Sequence, residues 1–109
     1  MLVEFPIFGA GIIYFPTEIS ALRVFEPRYL LLIGDSILNK QNFIVSSNLD
    51  NKFQIGSEVE IIEHQDISNA EQLVIVKSIK LHKINQIDLS REYPFCMADE
   101  YTEIGLPPS

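Results

Sequence analysis

A chain of 109 residues with 47% apolar and 21% charged side chains has the size of one domain and the material for one core, which excludes an intrinsically disordered chain. Eight Lys and Arg against fifteen Asp and Glu leave a net charge of −7. That excess repels phosphate backbones and makes nucleic acid a disfavoured partner.

The carboxylates are spread from Glu4 to Glu103 without a run of like charge, as on a solvated surface. The single Cys96 cannot form an internal disulfide and reads as a small buried hydrophobe, which suits a reducing compartment. No basic region precedes the first apolar residues, and no apolar stretch reaches the ~18 residues needed to span a bilayer. The expectation is a cytoplasmic chain with no membrane partner.

Residues 2–8, "LVEFPIF", alternate as a strand, with Pro6 predicting an edge or a bulge. After Gly9-Ala10-Gly11, "IIYF" at 12–15 predicts a second short strand stopped by Pro16. Residues 21–25, "ALRVF", read as a third strand with Leu22 and Val24 on one face. Glu26-Pro27 is a helix start: proline at the first helical position lacks only an N–H that would have no partner, and Glu26 faces the positive end of the dipole. The helix runs from Pro27 to about Asn39, and Leu31, Leu32 and Leu38 widen its apolar arc until little of it looks solvated. Ser36 reads as a surface residue of that helix.

The remainder reads as strands: 43–46, 58–63, a long stretch from about 72 to 87, and 94–101. In the long stretch Leu73, Ile75, Ile79 and Leu81 share one parity, which predicts the buried face, and a bulge near Ser78 accommodates Lys77. Gly56-Ser57 and Ser68-Asn69 are expected turns. The domain is placed at residues 1–104, with "GLPPS" at 105–109 as a tail that cannot pair.

The sequence carries no motif for catalysis or for a cofactor. The chain has no phosphate loop ending in Lys-Ser/Thr, "GAGIIYF" is not a dinucleotide fingerprint, and no serine sits in a Gly-x-Ser-x-Gly elbow. His64, flanked by Glu60, Glu63 and Asp66, suggests a metal site that His82 would join if their strands paired, but strand neighbours diverge to opposite faces, favouring a surface turn. Glu58 and Glu60 share a face opposite Val59 and Ile61, as on the solvated side of a half-buried strand.

The stretch "VFEPRY" at 24–29 resembles the Ile/Val-Phe-Glu-Pro-Arg-Tyr signature of the N-terminal substrate-binding domain of ATP-dependent Lon proteases, a domain also found alone. "FPIFGAGIIYFPTEISALRVFEPRY" at 5–29, "FQIGSEVEIIE" at 53–63, "LVIVKSIKLHKI" at 73–84 and "YPFCMADEY" at 93–101 are similar to successive segments of that domain, so the resemblance covers about residues 3–102. Lys77-Ser78 stands where the family usually has Arg-Gly, and the resemblance covers no helical extension, ATPase or protease domain. The resemblance implies a mainly β (α+β) PUA-like pseudo-barrel with one main helix after the second or third strand.

It also implies a module that engages polypeptides without catalysing a reaction. Phe25, Glu26, Pro27, Arg28 and Tyr29 then form an architectural corner. The candidate peptide contacts are Phe8, Ile12, Tyr14 and Phe15 beside the Gly9-Ala10-Gly11 step, with strand addition at a sheet edge as the physical route. The partners expected are unfolded or partner polypeptides. The alternative is an RNA-binding PUA-like domain using Lys77, Lys80, His82 and Lys83, which is thin against a net charge of −7.

Overall fold

The computed structural model describes residues 1–50 and 54–101. The expected tail at 105–109 lies outside the described residues, as does the domain boundary at 104. Six strands and one helix are present among them: β1 Val3–Gly9, β2 Ile19–Val24, α1 Pro27–Asn39, β3 Phe43–Ser46, β4 Gln54–Ser68, β5 Glu71–Asp88 and β6 Phe95–Glu100. The strands form one sheet in the order β2-β5-β4-β3-β1-β6, and β6 returns to pair with β5, closing a pseudo-barrel. The pair β1 and β3 is parallel and the other pairs are antiparallel. The mainly β framework with one helix after the second strand matches the sequence expectation.

The helix start is as the sequence predicts. Glu26 is the N-cap in extended conformation with Pro27 directly after it, and its carbonyl accepts from the N–H groups of Tyr29 (3.0 Å) and Leu30 (2.9 Å). At the other end Lys40 turns into the left-handed region (φ 52°), where its N–H donates to Ile37 O and that of Gln41 to Ser36 O, a Schellman termination. The buried face is narrower than expected. Tyr29, Leu32, Ile33 and Ser36 are buried, whereas Leu31 and Leu38 are exposed, because the helix is covered by the sheet on one side alone. Each fully buried large side chain on that face contributes roughly 1.5–3 kcal/mol.

Two apolar clusters occupy opposite faces of the sheet. Ile7, Ile44, Ile84, Ile87, Cys96 and Ala98 fill the space the barrel encloses. Phe8, Phe43, Val45, Val59, Val74 and Val76 pack with Leu22 and Val24 of β2 and with Tyr29, Leu32 and Ile33 of α1 on the other face. All four residues of β3 are buried because the strand serves both clusters in turn.

Several local expectations are corrected. Residues 12–15 form no strand: Gly11 (φ 75°) turns the chain, and the backbone of Tyr14 is held by side chains instead of a ladder. Pro6 sits in a strand that has neighbours on both sides further along, but at Pro6 itself the pairing is with β6 alone, so the expected edge character holds locally. Ile7 N–H points to Pro94 O (3.0 Å) on the β6 side, so the position of the missing Pro6 donor faces β3, which pairs only from Ile7 onward. Gly56 and Ser57 are buried inside β4 and make no turn. A Cβ at Gly56 would lie 2.5 Å from Ile44 Cγ2 and 2.7 Å from Ile84 Cδ1, so the barrel interior demands glycine there.

The buried parity of β5 is also the reverse of the expected one: Val74, Val76, Ser78, His82 and Ile84 are buried, and Leu73, Ile75, Ile79 and Leu81 are half-buried. The expected bulge does occur, with Ile79 as the extra residue between the pairs Val59↔Ser78 and Glu58↔Lys80.

The link from the barrel to β2 is a tight turn at Phe15–Glu18. Pro16 takes its second position, Thr17 has φ 72°, and Glu18 N–H closes the turn on Phe15 O at 3.1 Å. Thr17 N–H then donates to Ser78 O and Ser78 N–H to Glu18 O, the pattern of a bulge whose first residue is normally glycine. A β-branched residue in the left-handed region costs roughly 1–2 kcal/mol. Thr17→Gly, after the greater unfolded-state entropy of glycine is deducted, should therefore raise the thermal midpoint by about 2–5 °C. Gly56→Ala should have the opposite sign, lowering stability by about 1–3 kcal/mol in urea titration through overpacking.

Candidate functional site

The Glu26-Pro27 corner, β1 and β2 enclose a concavity of about 380 Å³. Its floor is aromatic. Phe8 of β1 stacks on Tyr29 of α1 with ring centroids 4.2 Å apart and approaches Phe43 at 6.4 Å. The Tyr29 hydroxyl accepts from Gly9 N–H (3.3 Å) and from the Arg28 guanidinium (3.5 Å), which also lies 4.7 Å from the Tyr29 ring centroid. Arg28 in turn faces Glu26 at 3.6 Å, both of them half exposed. The signature residues thus tie the helix start to β1, while Phe25 itself stands 61% exposed on the rim.

Tyr14 completes the floor and is held by an arrangement the sequence did not reveal. Its N–H donates to Ser57 Oγ (2.7 Å), the Ser57 hydroxyl donates back to Tyr14 O (2.6 Å), and the Ser78 hydroxyl reaches the same carbonyl at 3.4 Å. Both serines are buried, so two barrel strands pin the backbone of a loop that has no ladder of its own. The only sequence signal is a serine at an inward position of a strand. Of the candidate peptide contacts, Phe8 and Tyr14 are buried in the floor, whereas Ile12 (46%) and Phe15 (67%) are exposed. Phe8, Ile12 and Tyr14 line the concavity together with Phe25 and Tyr29, and Phe15 lies outside the lining.

The other polar candidates are placed elsewhere. Glu58, expected on a solvated face, is nearly buried: its Oε1 meets His82 Nε2 at 2.7 Å and its Oε2 accepts from Asn42 Nδ2 at 2.7 Å. The ring of Phe5 packs edge-on against His82 at 5.1 Å. His64 lies opposite Val74 and His82 opposite Gly56, which separates the two histidines by eight residues of β5, on the order of 26 Å, so they cannot share an ion. Among the described residues no group of three or more His, Cys, Asp or Glu could hold a metal.

The basic residues of β5 do not make one face. His82 is buried on Glu58, Lys80 pairs with Glu100 at 3.2 Å, and Lys77 stands across from Glu60 in the ladder. Arg23 and Glu26, the charged residues lining the concavity, are tied to Glu71 and Arg28.

The framework defines a class first: a six-stranded pseudo-barrel with one helix laid across an open flank. Solved structures that share this framework are Lon N-terminal domains. The structure superposes with a TM-score of 0.78 on the crystal structure of a Lon N-terminal domain protein from Xanthomonas campestris, at 22% identity over 92% of this chain and 60% of that one. It superposes equally well, TM-score 0.78, on the N-terminal domain of the Mycobacterium avium complex Lon protease, at 11% identity over 97% of this chain and 59% of that one. At these identities the likeness establishes the fold, and the chain spans about three-fifths of each of those structures. No protein-family profile and no curated protein matches the sequence. No helix among the described residues is long and apolar enough to cross a membrane.

Two groups outside the concavity give the fold an alkaline limit. Burial pushes the Cys96 thiol up to about 12. Burial, reinforced by a 2.9 Å hydrogen bond to Asp35, does the same to the Tyr93 hydroxyl. Both groups stay neutral in the folded chain over a range in which the unfolded chain ionises. Their contribution to stability is therefore complete below about pH 9 and declines between there and pH 12. Urea titrations at pH 8 and pH 10.5 should show the lower midpoint at the higher pH. At pH 8 Cys96 should react with a thiol reagent only after unfolding.

Proposed function

We propose that this chain is a non-catalytic polypeptide-binding module, an adaptor of the Lon N-terminal type, and that the concavity is where it takes apolar side chains of its client. One observation carries this reading: a buried floor of Tyr14 and the stacked pair Phe8 and Tyr29 meets an exposed apolar rim of Ile12 and Phe25. The floor side chains are already buried, the Tyr29 hydroxyl is bonded to Gly9 and the Tyr14 backbone to Ser57 and Ser78, so little freedom is lost when a ligand arrives, and exposed rim residues gain from being covered. The charged residues at the concavity are engaged with each other or with neighbours and leave no free acid or base aimed into it. The fold supports the same reading, since the sequence resembles the substrate-binding domain of Lon proteases along most of its length. With β5 lysines dispersed among carboxylates, RNA binding is the less supported alternative.

The test uses exposed positions. Ile12→Asp and Phe25→Asp should leave thermal stability within about 0.5 kcal/mol of the parent, as expected for surface changes. The double variant should bind a permanently unfolded, reduced and carboxymethylated protein at least tenfold more weakly by fluorescence anisotropy. Unchanged affinity would remove the concavity as the contact site.

A further inference from the structure

Apart from the short start of β1, the sheet has two longer strand edges that lack a paired neighbour among the described residues, and they differ in kind. The first is the outer edge of β4 beyond Val59, where pairing with β3 stops. That edge is interrupted by two inserted residues, Ile62 and Ile67, and carries Glu60, Glu63 and Asp66, the devices by which proteins prevent further pairing.

The second is β2. It pairs with β5 from Ile19 to Val24 without a single register shift. The bond from Ser78 N–H to Glu18 O sets the phase of that ladder. Glu18, Ser20, Leu22 and Val24 turn their backbone groups towards β5, and Ile19, Ala21 and Arg23 turn theirs outward. Those three residues are all exposed, so the outward groups face solvent. The open edge is about 20 Å long, the length of a six-residue strand. It also leads into the concavity, because Ala21, Leu22 and Arg23 belong to its lining.

We propose that the outer edge of β2 receives an extended polypeptide segment as an added strand, rich in apolar residues at alternate positions and neutral or basic between them. The inference rests on the polypeptide-binding reading above and specifies its geometry. An added strand would send alternate side chains to the face that carries Leu22 and Val24, where Phe8, Ile12, Tyr14 and Tyr29 form the receiving surface. The intervening side chains would lie beside Ile19, Ala21 and Arg23 on the open face. Arg23 is paired with Glu71 and Glu26 with Arg28, which leaves the Glu18 carboxylate at one end of the edge on a chain of net charge −7, and this selects against acidic segments.

The probes are nine-residue peptides alternating Leu, Phe or Val with Lys or Thr, measured by fluorescence anisotropy. Two N-methylated forms of the best binder carry methyl groups on its odd or its even amides. Binding to the parent protein should survive one methylation pattern and fall at least tenfold with the other, since only one set of amides faces β2. Ala21→Pro removes an N–H that β5 does not use, and it should cost at least tenfold in affinity with the β2–β5 ladder intact by amide exchange. If that variant does not fold, the methylated pair on the parent protein decides alone.

Equal tolerance of both methylation patterns would overturn strand addition while leaving the concavity as a side-chain site. Absence of binding by every probe would overturn both readings. Concentration-dependent dimerisation that Ala21→Pro abolishes, without peptide binding, would assign the edge to a second copy of the chain and overturn the proposal.

Discussion

The hydrogen-bonding capacity of β5 is shared unequally between its two edges, and the rest of the architecture follows from that division. One edge is taken by β4 from Glu71 to Ile84; the other is split in tandem, β2 holding Gln72–Lys77 and β6 holding His82–Asp88. Where β6 is the partner the sheet closes into a barrel. Where β2 is the partner it stays open as a three-stranded flank, whose apolar face must be covered by something other than strands. The helix does this, set at the necessary angle by a proline-led start directly after β2 and fastened through Tyr29 to β1. An open flank with a helix on one face and, among the described residues, no further strand on its rim is what places an aromatic concavity next to a free edge.

The bulge at Ile79 falls between the β2 and β6 stretches, and this position explains why the β5 parity was misread. An extra residue re-phases the strand, so the same parity serves two cores: Val74 and Val76 face the helix, and Ile84 faces the barrel interior. Leu73 and Ile75 remain apolar on the outer side beside Ala21, half covered by neighbouring strands. Periodicity reports which residues alternate, and here both alternating sets are apolar. It cannot report which set a helix will cover.

Legibility elsewhere tracked how local the determining interaction is. The helix bounds came out as Pro27–Asn39 because proline and the charged link after it act within a few residues. The turn expected at Ser68-Asn69 was readable to within one residue for the same reason: β4 ends at Ser68 and the connection to β5 is Asn69–Ala70. Residues 12–15 were not, since what holds Tyr14 is a pair of serines 43 and 64 residues away. Gly56 is required by the approach of Ile44 and Ile84, and the Glu58–His82–Asn42 cluster joins residues from three segments. Of the site, the aromatic content near the Gly9-Ala10-Gly11 step was visible in the sequence, but the division into a buried floor and an exposed rim was not.

The fastening of Tyr14 separates what carries the frame from what faces outward. Opening the 10–16 loop would strip hydrogen bonds from two buried hydroxyls at once, so the loop backbone behaves as part of the barrel although it belongs to no strand. The exposed side chains it presents, Ile12 and Phe15, can then be exchanged without disturbing the fold. A lineage or a designer could change the chemistry of this surface at those positions alone.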